Sequence, residues 1–187
     1  MPKLGMEPIR RDALVKAAIA EIGAAGSLDV TVARIARRAG VSTALAHHYF
    51  GGKEALFLAT MRHILSLYGA AVRQALVAAP TPEARLQAVV AASFGPENFA
   101  PATVSAWLNL YVHAHGSPDA RRLLHVYQRR LRSNLRHALR PLTVDAERLA
   151  DTAGALIDGL YIRAALGQDV RAAEATSQVL AALGQTR

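Results

Sequence analysis

The segment from Thr31 to Phe50 restricts what this chain can fold into more than any other part of it. Val32, Ile35, Ala36 and Ala39 recur at helical spacing, so one face is apolar and Arg34, Arg37 and Arg38 lie largely off it. Gly40 then stands where a helix would end on a left-handed residue, a conformation that is cheapest without a Cβ. Asp29 or Thr31 can cap this helix and Ser42 the next one, Thr43 to Tyr49, because their side-chain oxygens accept orphan amide hydrogens. Ala36 is small enough for a close helix crossing, and Val41 can plug it. Two short helices joined by about three residues of turn make a helix-turn-helix, a unit that lays its second helix in the DNA major groove. A generic helical hairpin in an all-α core is the plainer alternative. It does not require this small residue, glycine, cap and basic flank at these offsets.

Elsewhere strand signals are scarce and the helical period runs almost throughout, so the expected class is all-α with about nine helices. Pro8 precedes a first helix over about residues 9–25, with Ala13, Leu14, Ala17, Ala18 and Ile22 inward and Gly23 and Gly26 at its end. Gly51 and Gly52 form a turn. Lys53 and Glu54 open a long helix to about residue 79, packed through Leu56, Phe57, Thr60, Met61, Ile64, Leu67 and Tyr68, and closed by Pro80 and Pro82. Further helices are expected over 83–94, 102–115, 118–140, 145–166 and 170–183, separated by glycine and proline breaks. The domain boundary is placed inside the long helix, near Leu67, giving a head of residues 1–67 and a body of residues 68–187. No flexible linker interrupts that helix, so it would transmit movement between the two.

The net charge of +8 suits a polyanionic partner. Arginine outnumbers lysine 19 to 3, however, and the basic excess is spread over both halves. With no cysteine, disulfides, zinc ribbons and thiol nucleophiles are excluded. No apolar run reaches the roughly 18–20 residues that span a bilayer, and the N-terminus lacks a signal core, so a soluble cytoplasmic protein without membrane contact is expected. No nucleophile elbow, metalloprotease motif or phosphate-binding glycine loop is present, which argues against an enzyme. Neither metal nor cofactor is expected: His47 and His48 are adjacent and diverge by about 100° on a helix, and His113 and His115 do not converge either. A basic amphipathic protein that binds membranes or RNA without specificity is the other class to weigh.

Thr31, Val32, Ile35, Ala36, Ala39, Gly40, Val41, Ser42, His48, Tyr49, Phe50, Lys53, Glu54 and Leu56 form a spaced pattern that resembles the N-terminal signature of TetR-family transcriptional repressors. Further pieces reach from end to end in order. Met1 to Met6, Ile9 to Arg11, Ala106 to Leu108, Arg129 to Leu135 and Leu156 to Leu166 are similar to a choline-responsive branch of that family. Ala44, Leu45, Ala46 and His47 depart from that branch, so the operator sequence need not be shared.

The resemblance implies an all-α homodimer on a pseudo-palindromic double-stranded DNA operator, released by a small-molecule effector. It places Thr31, Ser42, Tyr49 and Lys53 on phosphates and Thr43, Ala44, Leu45 and His47 in the groove, with His47 or His48 reaching a base acceptor or a phosphate. Phe50 is expected inside and the Tyr49 hydroxyl outside, and Lys3, Arg10 and Arg11 form either a basic arm or a solvated tail. For the effector it implies choline or a related quaternary ammonium, which wants aromatic faces and a carboxylate. Trp107, Tyr111, Tyr127 and Tyr161 are the candidate aromatics, with Phe94 and Phe99 available, and Asp158 the candidate carboxylate. The alternatives are that these aromatics simply fill a core, that Asp158 pairs with Arg163 or Arg122, and that the arginines between Arg121 and Arg140 line a site for an acyl-CoA phosphate. Ala153, Gly154, Ala155, Leu156, Leu160 and Ala164 are expected at a four-helix dimer interface.

Overall fold

The computed structural model describes residues 5–184. Among them are nine α-helices and no strand. The head holds α1 (Met6–Ala25), α2 (Val32–Arg38) and α3 (Thr43–Phe50). Helix α4 (Lys53–Val77) leaves the head and packs on through the body. The body adds α5 (Pro82–Ser93), α6 (Pro101–Gly116), α7 (Pro118–Leu139), α8 (Ala146–Ala165) and α9 (Ala172–Ala182). One continuous core runs through both, with Leu14 and Ile22 of the head, Met61 of α4, and Leu86, Leu110 and Leu135 of the body almost fully buried.

Proline starts helices here as well as ending them. Pro82, Pro101 and Pro118 occupy the first helical positions of α5, α6 and α7, where a missing N–H removes no bond. Helix α1 likewise begins at Met6, three residues earlier than expected, with Pro8 absorbed in its first turn. Arg10 and Arg11 are therefore on a helix and not on an arm, while Lys3 lies outside the described residues.

Gly23 does not end α1. The helix runs past it to Ala25, and Gly26 closes it with φ of 65° and its N–H on the Ile22 carbonyl at 2.9 Å. Gly23 is where α1 crosses α6: a Cβ there would stand 2.6 Å from the Cα of Ala102. Only a hydrogen fits between the two backbones.

Helix α7 turns Leu124, Tyr127, Leu131, Leu135 and Ala138 inward, as its spacing predicts. Arg132 and Arg136 reach Glu147 on α8 at 2.8 and 3.0 Å, and Arg132 also binds Asp151. Such exposed, solvent-screened pairs add little to stability, so they set the register of α7 on α8 more than they stabilise it. Two expectations need correcting. By length and mean hydropathy (1.4) α4 is apolar enough to cross a bilayer, because alanine, glycine and leucine dilute its few charges, but its apolar residues Phe57, Met61, Ile64, Tyr68 and Val72 pack in the core. Leu67 is not packed; it is 43% exposed. The interface set on α8 also divides. Ala153 and Leu160 are buried in their own subunit, Gly154 and Ala164 are partly buried, and Ala155 and Leu156 remain exposed; outside that set, Ile162 on α8 and Leu166 just past its end are exposed as well.

Candidate nucleic-acid interface and effector site

The head is built by short-range chemistry. Ile35, Ala36 and Ala46 are buried at the crossing of α2 and α3, and the Val41 N–H donates to the Ala36 carbonyl at 3.0 Å. Gly40 makes the turn with φ of 68°. Thr31, not Asp29, caps α2 by accepting from the Arg34 N–H at 3.1 Å. Ser42 caps α3 by accepting from the Leu45 N–H at 3.2 Å. Both hydroxyls are used as acceptors only, so each O–H is left to donate outward. Thr43, Ala44, His47 and His48 are exposed along α3, and Leu45 is partly covered. His47 Nδ1 is 3.3 Å from the Gly51 carbonyl, and the rings of His48 and Tyr49 lie 5.6 Å apart. Lys53 is exposed at the first residue of α4.

Two contacts from α1 brace this unit. The Arg11 guanidinium sits 5.2 Å from the Tyr49 ring centre and 5.1 Å from that of Phe50, held by Glu7 at 2.8 Å. Phe50 is consequently half-buried beneath an arginine and not enclosed in the core. Glu21, 4% exposed, binds Arg38 at 2.5 Å and also pairs with Arg34. The Arg38 hydrogen bond, helped by the Arg34 charge, holds the Glu21 carboxyl below the usual carboxylate range against the opposing effect of burial. A depressed carboxyl contributes stability above its unfolded value that is lost as pH falls through its folded value. Glu21→Gln therefore lowers the melting temperature at pH 7, and the gap to wild type closes below about pH 4. A gap that persists unchanged in acid would show that Glu21 acts by packing alone.

The second site lies in the body, where helices α4, α6, α7 and α8 converge. The Trp107 ring is 4.5 Å from Tyr127, 6.3 Å from Tyr161 and 6.4 Å from Tyr111, centre to centre. Phe99 and Phe94 extend the cluster to 5.1 and 6.0 Å from Tyr161, and Tyr68 adds a ring 5.9 Å from Tyr127. Asp158 stands among them, half-buried, with the Tyr111 hydroxyl and the Gln128 amide against its carboxylate. It pairs with neither Arg163 nor Arg122; the groups on its carboxylate are Tyr111 and Gln128. Burial raises the Asp158 carboxyl above the ordinary aspartate value and pushes the Tyr68 phenol up to about 12. Tyr161 is pinned, accepting from Asn98 Nδ2 at 2.9 Å and donating to the Ser93 carbonyl. Trp107 Nε1 is a buried donor with no acceptor on the protein. A cavity of about 330 Å³ adjoins the cluster at Tyr68 and Asn98, with Leu67 at its lining.

All five candidate effector residues thus come together. Tyr68, Ser93, Asn98 and Gln128 join them without having been singled out for the site. Tyr68 carried a helical-spacing signal for burial but none for a ligand, and Asn98 sits in a connection where spacing says nothing. Among the described residues no group of three or more histidine, aspartate or glutamate side chains gathers to hold a metal.

Residues 14–60 match the family model described as bacterial regulatory proteins, tetR family, and residues 82–186 match that described as BetI-type transcriptional repressor, C-terminal. The chain belongs to the TetR family. A relative from Brucella suis, named HTH-type transcriptional regulator BetI, is 58% identical over 172 residues, covering 91% of this chain and 87% of its own. A solved transcriptional regulator from Pseudomonas aeruginosa superposes with a TM-score of 0.81 at 26% identity, covering 97% and 91% of the two chains. One from Saccharomonospora viridis, solved in complex with choline, shares the fold with a TM-score of 0.80 at 22% identity over 94% and 96%. The TetR-family head is the helix-turn-helix of α2 and α3, the BetI-type body is α5 to α9, and the protein is a BetI-type transcriptional regulator.

Proposed function

We propose that the protein is a homodimeric repressor, acting in the cytoplasm, that holds a pseudo-palindromic operator and releases it on binding choline or a close quaternary ammonium. The observation that carries the effector reading is Asp158, a carboxylate half-buried among tilted and edge-on aromatic rings with no cationic side chain on it. A cation that cannot hydrogen-bond is what such a site lacks. Each aromatic face contributes about 0.5–2 kcal/mol to it, and the free Trp107 N–H offers a donor to an effector oxygen. An acyl-CoA phosphate would meet Asp158 with the wrong charge. A solved transcriptional regulator of the same fold, in complex with choline, supports the same reading.

In this reading residues 1–67 are the DNA-binding head and residues 68–187 the effector and dimerisation body. Thr31, Ser42, Tyr49 and Lys53 contact phosphates, and Thr43, Ala44, Leu45 and His47 enter the groove, with His48 beside them. The exposed Leu156 and Ile162 of α8, with Leu166 just past its C-terminal end, face the second subunit. The effector shifts the head spacing only as far as its affinity differs between the two states.

Calorimetry with choline, betaine aldehyde and an acyl-CoA tests the effector. Choline or the aldehyde is expected to bind at one site per subunit, and the acyl-CoA not to bind. Binding of the acyl-CoA alone would replace the cation reading, and a footprint lacking twofold symmetry would overturn the dimeric one.

A further inference from the structure

One face of α6 is the seat of the head. Ala102 meets Gly23, Ser105 Oγ donates to the Ile22 carbonyl at 3.5 Å, and Asn109 Nδ2 to that of Gly26 at 3.4 Å, all along α1. One turn further on, His113 leaves α1 and meets α4. Its Nε2 is 3.3 Å from Glu54 Oε1, and its ring is edge-on to Phe57 at 5.6 Å. The same Glu54 oxygen accepts from Ser117 Oγ, the residue that caps α7, at 2.8 Å. A single carboxylate oxygen in the head therefore gathers the end of α6 and the start of α7. These bonds hold the Glu54 carboxyl below the usual range, Ser117 above all.

The two ends of this seat differ in packing. At Gly23 the backbones touch. At Glu54 a cavity of about 200 Å³ opens between the head and α6, lined by Ile22, Val30, Ile35, Phe57 and His113. Protein interiors are otherwise close-packed, so the apolar contacts leave the head free to tilt there. A directional polar contact must fix the angle. Glu54 follows Lys53 directly, and His113 follows Tyr111 of the aromatic cluster by two residues on the same helix.

We propose that Glu54, joined to His113 and Ser117, is a positioning contact that sets the angle of the head on the body, with the Gly23 crossing as its pivot. This rests on the reading above, in which two heads address one duplex and an effector in the body releases it. A shift of α6 around the effector would be delivered to Glu54 and so to Lys53 and α3.

The protein has no cysteine, so a single label site can be introduced at exposed Ala33 on α2. Spin-labelled Ala33→Cys dimers report the head-to-head distance by pulsed EPR. Two variants break the contact differently. Glu54→Asp keeps the charge beside Lys53 but shortens its reach, and His113→Phe keeps the ring against Phe57 but removes the nitrogen. Both are expected to broaden the distance distribution. They should also shrink the choline-induced loss of operator affinity from the about 5–150-fold typical of such coupling to under about 3-fold, with choline affinity of the free protein unchanged. Unaltered widths together with unaltered release in both variants would overturn the proposal. Failure of wild-type protein to bind choline would instead overturn the effector reading, and the EPR widths would still decide the role of Glu54.

Discussion

Asp158→Asn weakens choline binding about 10–100-fold, a loss of about 1.4–2.7 kcal/mol. Two opposite charges about 4 Å apart interact by about 4 kcal/mol at the effective dielectric of a protein surface, and the half-exposure of Asp158 reduces that figure. The effect on stability should run the other way. Burial raises the Asp158 carboxyl above its ordinary value. A raised carboxyl contributes stability that is full below its unfolded value and lost as pH rises through its folded value. At pH 7 the ionised side chain is therefore a cost to the empty protein, and asparagine removes it. Melting curves at pH 7 should show the variant at or above wild type without choline, and below it once choline saturates the wild-type site. Equal choline affinity in the two proteins would place the effector elsewhere.

Gly23→Val should destabilise the protein by about 1–3 kcal/mol, or about 2–12 °C for a chain of this size, and should also uncouple choline from operator release. The new Cβ would meet the Cβ and Cα of Ala102, neither of which can swing aside, so α1 and α6 must separate. That crossing is the pivot of the head, and a shifted pivot moves both copies of α3. Gly26→Ala is the control. Its φ of 65° makes alanine strained, but nothing lies within 4 Å of the added carbon. It should cost about 1 kcal/mol and leave operator release intact. Identical effects on release from both variants would show that helix strain, not the crossing, is what matters.

Local chemistry was readable before the fold was known. Gly40, Thr31 and Ser42 act within four residues of their own positions, and each does what its spacing implied. The inward face of α7 and the Trp107–Tyr111 pair are likewise consequences of a 3.6-residue repeat. What depended on distant partners was hidden. Gly23 read as a helix end because glycine usually marks one, and only Ala102, far along the chain, explains it. Asn98 finds Tyr161 across 63 residues, and Glu54 finds Ser117 across the same separation. Pro82 misled in a simpler way: it read as closing α4, but α4 ends at Val77 and Pro82 opens α5.

The carboxylate of Glu21 has a bearing on how hard the protein grips its operator. Arg34 and Arg38 would ordinarily be counted among the cations that expel ions from the duplex, yet each is already spoken for within the head. Binding weakens by about 0.9 powers of salt concentration for every phosphate a protein neutralises. With two arginines per head withheld, the protein should tolerate ionic strength better than a net charge of +8 suggests, a useful property in any cell whose internal salt rises and falls with its surroundings.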